Sequence, residues 1–142
     1  MQVDFYVLPT SQVAARYHFA CRLAETAWRH RHRVHLHVES ADIAQQLDQL
    51  LWGFRADAFL PHRLAAEAGP EAPVLIGWQP EHATAPEGLL INLAAPVPAC
   101  APRFPRVAEI VVQSPAILAS TREHWRWYQQ QGHRPTKHDI EP

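Results

Sequence analysis

Apolar positions along the chain recur with two periods. "VDFYVL" (Val3 to Leu8) is a β-rich run stopped by Pro9, and Ser11 is then placed to cap a helix reaching about His30. In that helix Val13, Tyr17, Ala20, Cys21, Ala24, Ala27 and Trp28 fall on one stripe. "RVHLHVE" (Arg33 to Glu39) predicts a second strand. "SADIAQQLDQLLWG" predicts a second helix, with Ser40 as N-cap, Gly53 as stop, and Ile43, Leu47, Leu50 and Leu51 facing inward. "PVLIGW" (Pro73 to Trp78) and "GLLINL" (Gly88 to Leu93) are short apolar runs bounded by Gly and Pro, the pattern of strands covered on both faces. After the loop "AAPVPACAPRFP" comes "RVAEIVV" (Arg106 to Val112). Ser114, with Pro115 at the first helical position, then opens a last helix that Gly132 closes.

Alternating strands and helices in this order predict an α/β fold: an open, mostly parallel sheet of about five strands flanked by helices. A single domain is expected over residues 1–132, and residues 133–142 read as a polar, mobile tail. With 47% hydrophobic and 19% charged residues, a chain of 142 residues has the material for one core. Thirteen Lys and Arg balance fourteen Asp and Glu, so the net field cannot drive unselective polyanion binding, and any anion recognition must be local. No basic leader precedes "VDFYVL" and no apolar run approaches the ~18 residues of a membrane span, so a cytoplasmic protein without membrane contact is expected. Cys21 on a helix stripe and Cys100 in a proline-rich loop have neither disulfide nor metal spacing, and reduced thiols are expected.

A nucleotide site in such a fold needs glycines that let backbone N–H groups approach phosphate. The first strand ends in "LPTS" and the five glycines (53, 69, 77, 88 and 132) are dispersed, which excludes GxGxxG and the P-loop. The topology is therefore mononucleotide-binding-like without a phosphate loop, and no cofactor is expected. "RHRHRVHLHVE" sets His35 and His37 on one strand face, where two imidazoles could share an ion, but no third ligand is recognisable. The preferred reading places them at a solvated sheet edge or strand end, with no metal. Arg29, Arg31 and Arg33 complement the C-terminal dipole of the first helix. No GxSxG stands in the chain, and Asp4 and Glu39 near strand ends show no pairing, so no catalytic residue is assigned and no intrinsic activity is expected. A small hydrolase or transferase using histidines and carboxylates at the strand ends is the alternative from another class.

Two segments carry interaction chemistry. In "LLWGFRADAFLPH" (Leu50 to His62), Trp52, Phe54, Phe59 and Leu60 follow a helix end at a spacing that fits neither period. They are either tucked under the connection as core or offered to a partner as anchors. In "REHWRWYQQQGHRP", Arg122, Trp125, Arg126 and Gln129 share one helix side, while Ile117, Leu118, Thr121, Trp125 and Tyr128 share the next. From Arg122 to His138 the formal charge is +4, from Arg122, Arg126, Arg134 and Lys137, against -1 from Glu123. A guanidinium grips a carboxylate bidentately and an adjacent apolar surface takes a side chain, so a small acidic, partly apolar ligand suits this face. An ordinary amphipathic helix with solvated arginines, or a binder of single-stranded DNA, fits the same composition.

The residues resemble a known family, the chi subunit of bacterial DNA polymerase III. The likeness begins at "FYVL", is densest through "LWGFRADAFLPHRLA" to "PVLIGW", returns in "LLINL" and resumes at "REHWRWYQQQGH", spanning nearly the whole chain. It implies a non-catalytic accessory subunit of the clamp-loader assembly, part of a DNA-directed DNA polymerase holoenzyme in the bacterial cytoplasm, contacting DNA indirectly. It also implies two partners: the psi subunit of the clamp loader, and the acidic C-terminal tail of single-stranded DNA-binding protein, which ends in an aromatic residue and a free carboxylate. By the resemblance, the psi-facing aromatics fall on Trp52 and Phe59, a surface for which a helicase-like repair protein is a further candidate. The tail-binding arginine falls on Arg122, its neighbouring aromatic on Trp125 and an apolar wall on Val111; Arg126, one helical turn on, is added to the site from its spacing and not from the resemblance. The chain departs from the family pattern at Leu118, where a lysine occurs, and at Trp125, where a tyrosine is usual. Arg134 and Lys137 are the candidate replacements for the missing charge.

Overall fold

A computed structural model of the chain describes residues 1–54, 59–67, 69, 71–83 and 86–141. Residues 55–58, in the middle of the aromatic segment, and Pro142 at the end of the tail lie outside the described residues. The elements in chain order are β1 (Gln2–Val7), α1 (Val13–Arg29), β2 (Val34–His37), α2 (Ala41–Gly53), β3 (His62–Leu64), β4 (Val74–Gly77), β5 (Leu89–Asn92), β6 (Arg106–Val111), α3 (Pro115–Gln130) and β7 (Thr136–Asp139). Among the described residues seven strands form one all-parallel sheet in the order β3-β4-β2-β5-β6-β1-β7. The predicted α/β class and parallel sheet hold, with two strands more than expected.

The additional strands carry no apolar run of their own. β3 is three residues at one edge, and β7, "TKHD", is a polar strand at the other. β7 lies where a polar tail is expected from sequence. Its backbone pairs with β1 from Asp4 opposite Thr136 to Val7 opposite Asp139, and Ile140 N–H donates to Val7 O at 2.9 Å. The His138 ring contacts Asp4 Oδ1 at 2.9 Å and stacks on Tyr6 with centroids 5.0 Å apart. These are contacts between segments more than 130 residues apart, which no local periodicity encodes.

Most predicted helix ends follow local chemistry: α3 starts as expected, with Ser114 at its N-cap and Pro115 as its first residue. Ser40 Oγ accepts the Ile43 N–H at 3.2 Å, the predicted cap of α2. α3 ends at Gly132, whose φ of 89° suits glycine; Gly132 N–H donates to Gln129 O and His133 N–H to Tyr128 O, the paired bonds of a Schellman stop. α1 differs: it starts at Val13 with no side-chain cap, because Thr10 Oγ1 takes the Gln12 N–H at 3.1 Å and Ser11 stays outside the helix.

The sheet buries both faces. On one, α1 and α2 bring Ala20, Cys21, Ala24, Leu47 and Leu51 onto Leu36, Ile76, Ile91 and Ile110. On the other, α3 and the loop around Cys100 cover Phe5, Leu90, Val107 and Val111 with Tyr128 and Phe104. Strand register then sets one row across the α3 face: Gly77, His37, Asn92, Glu109 and Phe5 lie side by side. Three of these five are polar and buried, so the sheet carries a polar band beneath α3.

Candidate functional site

α3 is amphipathic, with His124 and Tyr128 buried and Arg122 and Arg126 exposed. Trp125 sits between these faces. Its ring packs on Phe5 of β1, centroids 5.0 Å apart, while its outer edge joins Thr121, Arg122 and Arg126 in lining an open groove of about 550 Å³. Arg126 Nε also donates to Arg122 O at 3.4 Å, which holds this guanidinium back along the helix. Three of the four residues assigned to the acidic-tail site thus line one groove. The fourth, Val111, is 2% exposed at the end of β6 and packs in the same cluster as Trp125. It is buried, and the apolar surface lining the groove is that of Trp125. Lys137, a candidate source of extra positive charge, sits on β7 with its Nζ 3.4 Å from Asp139 Oδ1.

Beneath the groove lies a buried network that sequence reasoning missed. Glu109 of β6 accepts from Tyr128 OH at 2.9 Å and from Asn92 Nδ2 at 3.1 Å, and its other oxygen meets His124 Nδ1 at 3.0 Å. His124 Nε2 contacts the Ala95 carbonyl, and Asn92 Oδ1 accepts the Ala94 N–H at 3.0 Å. Burial alone would disfavour a charged His124, but the hydrogen bond and charge of Glu109, with the Ala95 carbonyl, outweigh burial and the opposing charge of Arg16, and its pKa is raised. Burial, then the charge and hydrogen bond of Glu109, keep the Tyr128 phenol protonated. The one local signal was a carboxylate inside the apolar run "RVAEIVV".

The second surface is aromatic. Trp52 at the end of α2 is 53% exposed and Phe59 66%, with ring centroids 6.0 Å apart, while Leu60 beside them is buried. The choice left open for this segment therefore divides residue by residue: Leu60 is core, and Trp52 and Phe59 face outward. His62 packs beside Trp52, its ring 4.6 Å from the indole and its ring nitrogens 2.7 and 3.2 Å from Leu60 O and Asp48 O.

His35 and His37 do share a strand face, with centroids 6.4 Å apart, but the expected solvated edge is corrected: both are buried near the middle of the sheet, because β2 lies between β4 and β5. Both ring nitrogens of His35 and Nδ1 of His37 have no hydrogen-bond partner. His35 is packed against Gly77, where an added Cβ would come within 2.8 Å of His35 Cε1 and 2.7 Å of His82 Cβ. His82 turns its Nδ1 to the N–H groups of Trp78 and Gln79, at 3.2 and 3.3 Å. Among the described residues no three His, Cys, Asp or Glu side chains are grouped to hold a metal ion. Cys21 and Cys100 are unpaired and buried, and burial pushes the Cys21 thiol up to about 12, far from a reactive thiolate. Among the described residues no helix is long and apolar enough to cross a membrane.

An open parallel sheet covered on both faces, whose chain lacks a glycine-rich phosphate turn, defines a Rossmann-like α/β protein. The family model described as "DNA polymerase III chi subunit, HolC" matches residues 1–136. The chain is 45% identical to DNA polymerase III subunit chi of Pseudomonas aeruginosa over 139 residues, 98% of this chain and 96% of that one. It is 30% identical to the Haemophilus influenzae protein of the same name, covering 91% of this chain and 90% of the relative. Against the Escherichia coli protein, again DNA polymerase III subunit chi, identity is 32% over 79% of this chain and 77% of the relative. The chain belongs to the DNA polymerase III chi subunit family, accessory subunits of the polymerase complex in DNA replication.

Proposed function

We propose that this chi-family subunit is a non-catalytic adaptor, joining the clamp loader through psi to the acidic C-terminal tail of single-stranded DNA-binding protein. The observation that carries the reading is the groove of Thr121, Arg122, Trp125 and Arg126, which sets two exposed guanidinium groups beside one indole. Arg122 pairs with the terminal carboxylate, Trp125 receives the aromatic ring, and Arg126 attracts the acidic residues before it. Trp52 at the end of α2 and Phe59 in the segment after it, near the β3 edge, are the apolar anchors for psi. Holding a mobile tail close to the polymerase raises the local concentration of each partner, so weak single contacts suffice.

The test is fluorescence anisotropy of a labelled acidic peptide ending in Ile-Pro-Phe, as free acid and as amide, against wild type and Arg122→Ala. Binding of the free acid that drops by about tenfold or more on amidation, and similarly in Arg122→Ala, is expected for a desolvated charge-assisted pair. Equal affinity of acid and amide would remove the carboxylate from the site and with it this reading.

A further inference from the structure

His124 lies on α3 between the residues of the groove, yet points the other way, into the sheet. Its Nδ1 meets Glu109 Oε1 at 3.0 Å and its Nε2 meets the Ala95 carbonyl oxygen. Both partners are acceptors. A neutral imidazole has one N–H and can satisfy only one of them, so both contacts are hydrogen bonds only when the ring carries two protons. The other oxygen of Glu109 accepts from Tyr128 and Asn92. Arg16 of α1 adds a nearby positive charge but is tied by Nε to Ile110 O at 2.8 Å and by Nη1 to Leu93 O at 3.0 Å. Glu39, after β2, accepts the Ala95 N–H at 2.8 Å and steadies the carbonyl that His124 grips.

These groups adjoin the groove through one shared residue. Arg16, Glu39, Glu109 and His124 line a cavity of about 130 Å³ past the end of β5 that shares Thr121 with the groove of Arg122, Trp125 and Arg126. We propose that His124, doubly protonated between Glu109 and the Ala95 carbonyl, is the positioning residue of the acidic-tail site, so that peptide binding at Arg122 and Trp125 weakens when His124 loses a proton. The inference rests on the tail-binding reading above. Two effects act in one direction: proton loss removes one of the two bonds that His124 makes beneath α3, and it removes a positive charge behind a site for an anion. A raised folded-state pKa means the proton is lost as pH rises above the ordinary histidine range. The peptide carboxylates stay ionised throughout that range.

The experiment measures affinity of the Ile-Pro-Phe free-acid peptide from about pH 6 to about pH 9 at fixed salt, for wild type and His124→Gln. Wild type is expected to lose about fivefold, the scale of one hydrogen bond, while His124→Gln binds more weakly and shows no such fall. The second measurement needs no variant: the His124 imidazole is titrated by NMR in wild type with and without saturating peptide. By reciprocity, peptide must raise the His124 pKa by the logarithm of the affinity change. Binding that is flat with pH, a fall that persists in His124→Gln, or an unmoved His124 titration overturns the role of His124 and leaves the tail site standing. A peptide that fails to bind at every pH overturns the tail reading and this inference together.

Discussion

His35 shows how much one buried side chain can set. Burial first, then the neighbouring His37, His82 and Arg103, push its pKa down to about 3, so it stays neutral in the folded protein at neutral pH. In the unfolded chain it takes up a proton below about pH 6.5. The unfolded state therefore binds more protons between those values, and stability falls as pH drops through that window, by about 1.4 kcal/mol per pH unit from this residue. His35→Leu is expected to keep or raise stability at pH 7, since it removes two unpartnered ring nitrogens, and to flatten the acid slope. Urea unfolding at a series of pH values checks this; the same acid slope in both proteins would mean His35 does not carry it. His124 contributes with opposite sign: its raised pKa gives stability below the ordinary histidine value that is lost as pH rises through the folded one. The spacing of His35 and His37 was legible as one strand face, but their burial was not, because it follows from β2 lying inside the sheet.

At the level of elements, the caps and apolar runs were legible, and the edge strands were not. Ser40 and Gly132 act through atoms of adjacent residues, so their sequence signal is complete. β7 has no such signal, since "TKHD" becomes a strand only by borrowing the edge of β1. It also covers that edge. Ending the chain after Pro135 is expected to strip the β1 edge of its partner and leave buried Asp4 without His138, costing about 1–3 kcal/mol and favouring self-association through the bared edge. Thermal unfolding with sedimentation velocity measures both effects. An unchanged melting temperature in a monomeric truncated protein would show that β7 protects nothing.

Across the whole molecule, the exposed aromatic pair and the groove sit on different elements, α2 with its following segment and α3. With no shared residue, they are expected to act independently. Trp52→Ala with Phe59→Ala should abolish psi binding while leaving tail-peptide affinity within about twofold, and Arg122→Ala the reverse, with each surface change within about 0.5 kcal/mol of wild-type stability. Calorimetry with each partner against both variants is the measurement, and loss of both activities in either variant would argue that the surfaces are coupled. By itself the sequence determined the alternation of strands and helices, most of the helix ends, the aromatic and basic clusters, and a family likeness spanning nearly the whole chain, because each is written in residues close together in the chain. Only the tertiary structure decided that Val111 is buried at the end of β6, that Phe59 faces out while Leu60 turns in, and that Glu109, Asn92, His124 and Tyr128 form one network. Strand order and register made those choices, by bringing side chains from separate segments onto one buried face, and local periodicity carries no record of which distant strand will be the neighbour.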